Sequence, residues 1–411
     1  MLMHSVAVRP VPYSTASGVL PEAGFTAQPG GALGHISGGN AFSPETGRPL
    51  RRQGLRYGIK CGARETARAP LSPFGRRFRP PGLGASMASS CQSVAKTLAE
   101  VVECRPVLEP VLRAFEPLLA AQAQLADDLA DSIRASGLEL PEAQPGALEQ
   151  GLSLLAGVPL TGAAAPLRQS AEKLLPLLAT LETMAPHLPA LEAFLLAPAG
   201  AAKKGKGAKT RQDPREALAE ALLSGNSEEE TRLAAAHDLD PSILHFAFSF
   251  VLAPVLRAIV SGSLPEEGDA PWDAGSLWRQ GYCPVCGSFA TIAWLDKPLV
   301  DEKNAYLAGG GGKKHLHCGL CGTDWKFMRG TCPSCGEKGS GVIEMLRESG
   351  SAHGERLDWC TKCKTYCPTV DLRERDGKPD MDALALGMMH LDMVAARKKL
   401  RPLKVSFWNT F

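Results

Sequence analysis

The residues most able to do chemistry are eight cysteines in four Cys-x-x-Cys pairs: Cys283/Cys286, Cys318/Cys321, Cys332/Cys335 and Cys360/Cys363. They are eight of the chain's twelve cysteines and lie within Tyr282 to Tyr366. Two residues between cysteines let both thiolates reach one tetrahedral ion, so four pairs make two sites of four sulfurs each. The first and third pairs read Cys-Pro-x-Cys-Gly, at 283–287 and 332–336. Proline fixes the turn, and the glycine permits a left-handed residue after the second cysteine. Backbone N–H groups then point at the sulfurs. An all-sulfur tetrahedron takes zinc or iron and leaves no open position for substrate, which is a structural rather than a hydrolytic arrangement.

The gaps suggest how the pairs combine. Thirty-one residues separate Cys286 from Cys318, twenty-four separate Cys335 from Cys360, and only ten separate Cys321 from Cys332. The long gaps suit small three-stranded sheets, with strands over 290–295 and 315–317, then 342–346 and 357–359. The expected sites are therefore Cys283, Cys286, Cys318 and Cys321, then Cys332, Cys335, Cys360 and Cys363. Interleaved pairing stays open on spacing alone. His315 and His317 read as strand residues, because eight thiolates already fill two sites. Cys367 is a spare thiol, and Cys61, Cys91 and Cys104 have no partner spacing. Trp325 and Arg329, between the two units, either lock them together or meet a partner. The glycines at 309–312 lack a phosphate-loop context and read as a hairpin tip.

Helical segments precede these pairs. Apolar residues recur at helical spacing from Val94 to Ile133, where Pro110 and Pro117 are expected to kink or divide the run. Shorter helices are expected over 148–155, 167–181 and 188–196. Asp213-Pro214-Arg215-Glu216 reads as a helix start whose Glu bonds back to the cap. Asp240-Pro241 opens the most apolar helix, ended by Gly262, with His245 as a packed core histidine. The charged glycine-rich run Lys203–Lys209 reads as a solvated loop. A last helix follows Asp380, with Arg397, Lys398, Lys399 and Arg401 complementing its C-terminal dipole. Phe407, Trp408 and Phe411 then pack back or meet a partner.

Composition bounds the rest. The 411 residues carry a net charge of +2, but residues 1–90 hold eleven Lys or Arg against three Glu, leaving the remainder slightly acidic. Such a balance gives no field for a polyanionic partner, and neither a membrane span nor a secretory signal is read. Residues 1–90 have no sustained period. They read as a disordered tail, an organellar transit peptide, or upstream sequence preceding a true start at Met87; the abrupt onset of helical pattern favours the last. The expected fold class is multidomain α+β. Its parts are a 1–90 extension, an all-α domain at 91–265, a first metal-binding unit at 266–328, a second at 329–379, and a C-terminal helix and tail at 380–411.

The ordered motif set resembles the formate dehydrogenase accessory protein FdhE family. It comprises Tyr282-Cys-Pro-Val-Cys-Gly-Ser288, then Leu316-His-Cys-Gly-Leu-Cys-Gly-Thr-Asp-Trp325, Arg329, the Cys332/Cys335 pair and Cys360-Thr-Lys-Cys-Lys-Thr-Tyr366. The match covers roughly residues 277–400. The resemblance implies two rubredoxin-like, zinc-ribbon-type units behind a helical domain in a cytoplasmic protein, with iron favoured over zinc. It implies a non-enzymatic factor that binds the molybdenum- or tungsten-dependent catalytic subunit of formate dehydrogenase and is needed for its activity. The family's acidic pair at the start of the last helix is here Asp380-Met381-Asp382, and the ending 408–411 matches only loosely. Two other classes are weighed. A nucleic-acid-binding zinc ribbon is disfavoured because residues 270–411 hold twenty basic and sixteen acidic residues without an aromatic-laced basic stripe. A rubredoxin-like or thiol redox protein is disfavoured because ligation would occupy the thiols.

Overall fold

Among the described residues, Pro241–Ser263 is the one helix that combines such length with such apolar composition, and the helical half is built around it. Asp240 caps this helix by accepting from the Ser242 and Ile243 N–H groups. Leu244, Phe248, Val251, Leu252, Val255, Leu256 and Ile259 are all buried. The structure, a computed structural model, describes residues 90–198, 212–264, 270–273, 277–297, 312–348, 353–406 and 408–409. The expectations for 1–89, for Lys203–Lys209, for most of the 309–312 hairpin tip and for Phe407 and Phe411 lie outside these.

The helices are α1 (Ser90–Cys104), α2 (Glu109–Ala135), α3 (Pro145–Glu149), α4 (Ala164–Leu178), α5 (Leu188–Leu195), α6 (Pro214–Ser224), α7 (Ser227–Ala236) and α8 (Pro241–Ser263). The first apolar run divides at Arg105–Leu108, where Pro106 opens a single 3-10 turn, and not at Pro110 or Pro117. Pro110 falls in the first turn of α2, where no N–H is needed. Pro117 lies inside α2 without ending it, a cost of about 3 kcal/mol. Burial of Leu118, Leu119, Leu125 and Leu129 along the same helix offsets that cost. The helix expected over 148–155 ends at Glu149, and the following residues turn instead.

α8 packs on α2 and α4. Pro254 cannot donate to the Phe250 carbonyl, and Gln122 Nε2 of α2 supplies that bond at 3.1 Å. Ser170 of α4 donates to the Val251 carbonyl at 2.7 Å. By length and composition α8 could cross a membrane, but 67% of its apolar window is buried inside the protein, as in a core helix. Two local expectations change. His245 is not packed in the core: it lies on the outer face of α8, 2.8 Å from Glu230. Glu216 does not bond back to its own cap. Its Oε1 accepts from the Gly162 and Ala164 N–H groups and ties α6 to the start of α4.

The second half is one mixed sheet. Its strands are β1 (Ile292–Leu295), β2 (Lys314–His317), β3 (Asp324–Phe327), β4 (Ile343–Arg347), β5 (Glu355–Cys360), β6 (Thr365–Asp371) and β7 (Arg401–Pro402). Their order is β3-β2-β1-β6-β5-β4, with β7 beside β6. β1–β2–β3 and β4–β5–β6 are two antiparallel meanders, joined where β1 runs parallel to β6 with Ala293 opposite Thr369. The strands expected from the cysteine gaps therefore belong to one continuous sheet. β6 is buried along its whole length, as a central strand covered on both faces should be.

The last helical segment is two helices, α9 (Met381–Gly387) and α10 (Met389–Arg397), broken at Met388. Asp380 caps α9 through the Ala383 N–H, and its own N–H donates to Thr97 Oγ1 of α1. A side chain at Gly387 would meet Val101 at 2.7 Å, so this glycine sets how closely α9 approaches α1. Trp408 packs edge-on against Phe115, with centroids 6.4 Å apart.

Candidate metal centres

All four Cys-x-x-Cys segments form the same knuckle. The residue after the second cysteine is left-handed in each: Gly287 (φ 76°), Gly322 (φ 74°), Gly336 (φ 75°) and Lys364 (φ 61°). Its N–H returns to the carbonyl of the first cysteine at 2.8–3.0 Å, as in Gly287 to Cys283 and Lys364 to Cys360. In the first three, the first cysteine N–H also closes a hairpin onto Ser288, Thr323 and Glu337 respectively. Glycine accepts the left-handed backbone freely, whereas Lys364 adopts it at a cost of about 1–2 kcal/mol.

The sulfurs gather into two groups, Cys283, Cys286, Cys318 and Cys321, and Cys332, Cys335, Cys360 and Cys363, each with its ligand atoms within 4.8 Å of one another. Contacts across the first group are 3.5 Å (Cys283–Cys321) and 3.4 Å (Cys286–Cys318). Across the second they are 3.6 Å (Cys332–Cys363) and 3.8 Å (Cys335–Cys360). Four sulfurs about 2.3 Å from a tetrahedral ion lie about 3.8 Å apart, so both groups fit such an ion. The Val285 and Ser334 N–H groups donate to Cys283 and Cys332 sulfur, each at 3.4 Å, as a thiolate set requires.

Charge is shared unevenly inside each group. Burial pushes the Cys283 thiol up, while hydrogen bonds from the three neighbouring thiols hold Cys318 well below the usual range. In the second group burial raises Cys332. Burial also acts on Cys363, but bonds from the Thr365 hydroxyl and N–H bring it down to about 6.

The helical half holds the first group in place. The Leu154 and Leu155 N–H groups donate to the Pro284 and Val285 carbonyls at 2.8 and 2.9 Å, and Ser153 Oγ donates to the Cys283 carbonyl at 2.9 Å. Arg257 of α8 reaches the second knuckle, donating to the Gly319 carbonyl at 2.6 Å and to Asp382 at 2.7 Å. His317 stands between Asp324 at 2.8 Å and Asp382 at 3.5 Å. Burial opposes its charge, but the two carboxylates carry its pKa to about 10. Arg257 is the only Lys, Arg, Asp or Glu between Pro241 and Ser263. A lone cation in so apolar a helix was the available signal for this contact.

A seam joins the two groups. Trp325 is fully buried, and its indole donates to the Gln280 carbonyl at 3.2 Å. The next residue, Gly281, has no room for a side chain, since a Cβ there would lie 1.9 Å from the Pro333 carbonyl oxygen of the third knuckle. Trp325 is thus a buried residue held against Gln280 within the first unit, while Arg329 is exposed. His315 is a β2 residue stacked on Trp294 at 4.0 Å. Cys367 is buried in β6 opposite Asp358, its thiol pushed up to about 12 by burial, and belongs to neither group. Cys104 lies 3.4 Å from His353.

These observations define a class: an α+β protein whose helical region is followed by a mixed sheet carrying two four-cysteine clusters able to hold metal ions. No family model matches the chain. Among curated proteins it is 31% identical over 110 residues to an FdhE homologue of Aquifex aeolicus, covering 26% of this chain and 35% of that protein. An Edwardsiella ictaluri homologue is 27% identical over 178 residues (43% and 49%), and FdhE of Escherichia coli is 29% identical over 114 (28% and 33%). Over that shared stretch the chain is similar to FdhE proteins, and it spans about a third to a half of the length of these relatives. The crystal structure of FdhE from Pseudomonas aeruginosa is 20% identical with a TM-score of 0.44, covering 78% of this chain and 95% of that one.

Proposed function

We propose that this chain is a cytoplasmic, non-catalytic accessory factor. It binds the catalytic subunit of a molybdenum- or tungsten-dependent formate dehydrogenase and is needed for that enzyme's activity. The carrying observation is the pair of four-cysteine clusters, combined with relationship to FdhE proteins over the shared stretch. Cys283, Cys286, Cys318 and Cys321 hold one ion, and Cys332, Cys335, Cys360 and Cys363 hold the other. Either zinc or iron suits four thiolates, and the ion supplies cross-linking and folding free energy. With four protein ligands, neither centre has a position for substrate.

The residues around the clusters shape a surface. The knuckles fix their own backbone, α8 and the 153–155 turn hold the first pair, and the Trp325–Gly281 seam sets the second against the first. The units 266–328 and 329–379, with the helical domain at 91–265 and the ending at 380–411, act together as one docking body. Arg329, exposed beside the seam, is a contact residue of that body.

Co-purification of tagged chain with the catalytic subunit, before and after cofactor insertion, tests this reading. A complex at one maturation stage is expected, and no complex at any stage overturns it. The exposure of Cys335 favours a second reading, electron transfer at an iron-loaded second cluster. Colourless, zinc-loaded protein would remove it.

A further inference from the structure

The end of the sheet that carries the second cluster differs from the rest of the surface. The fourth knuckle, the C-terminus of α10 and β7 meet there. The Arg401 N–H donates to the Lys364 carbonyl at 2.9 Å, and Arg401 Nη2 donates to the Cys363 carbonyl at 3.1 Å. Lys362, Lys364, Arg397, Lys398, Lys399 and Arg401 are all exposed at this junction. None of the six has an ion pair among the described residues, although Lys364 lies over the Trp359 ring at 5.0 Å, whereas the exposed Arg113, Arg134, Arg168, Arg232, Arg347 and Arg373 each have a carboxylate partner. The helix dipole accounts for a cation or two in the last turn of α10, not for six over three elements.

The metal centre does not account for them either. A divalent ion with four thiolates carries two negative charges. Even with Glu337 and Glu344 nearby, and Lys338 beside them, this end of the molecule stays positive. Apolar side chains interleave with the cations. Met393 is 44% exposed, Val394 38% and Val405 57%. Met393 and Val394 lie one helical turn before Arg397 and Lys398, so they share faces of α10 with them. Exposed methionine and valine among cations suit a protein partner, whose interfaces pair apolar contact with charge, better than a phosphate backbone.

We infer that the junction of the fourth knuckle, α10 and β7 is a docking surface for a protein partner that presents an acidic, partly apolar face. Identifying that partner as a formate dehydrogenase subunit rests on the proposed function; the surface itself does not. Opposite charges steer encounter and make the association weaken with salt.

The test uses the full, metal-loaded chain and three probes: the purified catalytic subunit, a fluorescent decaglutamate peptide, and duplex DNA of matched charge. The variant carries Lys362→Glu, Arg397→Glu and Lys398→Glu. A control carries the same reversals at Lys96, Arg113 and Lys173 of the helical region. Unchanged metal content and melting establish that both are folded. The expected result is salt-sensitive peptide binding that weakens by about tenfold or more in the variant and holds in the control, with the subunit following the same order. Equal loss in both triple variants, no loss in either, or DNA binding tighter than the peptide overturns the docking surface. If the subunit binds neither protein while the peptide obeys the expected order, the client assignment fails and the surface stands.

Discussion

The first cluster has all four cysteines buried and two knuckles bonded to the helical half; the second leaves Cys335 exposed and Cys363 half-buried. The knuckle geometry is the same in both, down to the left-handed residue after each second cysteine. The surroundings separate them. The first cluster belongs to the main core, while Cys332, Val342 and Cys360 form a small core of their own. Identical local chemistry can therefore serve two tasks. In the first cluster an ion would be one more element of a packed interior. In the second it would be the principal cross-link of a small core set apart from the main one.

Breaking each cluster in turn gives the largest expected contrast. Cys286→Ser should leave a buried, incomplete ligand set in the main core and unfold the helical half with it, read as loss of the cooperative melt by circular dichroism. An apparent zinc-site free energy of about 10–16 kcal/mol sets the scale. Cys335→Ser should lose one metal per chain and leave the helical melt standing. Equal damage from both would erase the distinction.

The seam comes next. Gly281→Ala places a methyl 1.9 Å from the Pro333 carbonyl oxygen, so backbone must move. A loss of about 1–3 kcal/mol is expected in chemical denaturation. The second cluster should loosen first, seen as faster metal release there than from the first. An unchanged midpoint would mean that the two units do not touch at this point.

Asp392 tests the packing behind the second cluster. It is buried with Tyr366 as its hydrogen-bond partner at 2.7 Å, and burial raises its carboxyl to about 7. A raised folded pKa means its contribution is fully present below the unfolded value of 3.8 and is lost as pH rises through about 7. Asp392→Asn keeps the acceptor without the charge. Its melting temperature relative to the parent should rise across that window and level off above it. A difference that is flat with pH would refute the buried carboxyl. The smallest effect belongs to Lys364, left-handed at φ 61° where the other knuckles have glycine. Lys364→Gly should stabilise the second unit by up to about 1 kcal/mol, measured as a later loss of its metal on heating.

How much of this was legible depends on how local the determinant was. The knuckles were readable because each turn is set by five consecutive residues, and the caps Asp213 and Asp240 lie where sequence expects them. Glu216 was misread because a distant pair of N–H groups, at Gly162 and Ala164, competes for its carboxylate. His245 was misassigned because an apolar helix hides which face is outward. Trp325 is ambiguous between packing and contact in the sequence, because its partner, the Gln280 carbonyl, lies forty-five residues away. The parallel pairing of β1 with β6 joins strands about seventy residues apart, and nothing in either strand announces it. Arg257 is the reverse case, a visible anomaly in α8 whose purpose appears only once the second knuckle is docked on it.

Metal release from the purified chain tests the two-cluster account most directly. Metal would be quantified per chain, then followed under excess chelator alongside the helical signal. The account predicts two ions per chain, one leaving while the helical half stays folded and the other leaving only as that half unfolds. Fewer than one ion per chain, or both ions leaving together without any loss of helix, would contradict it.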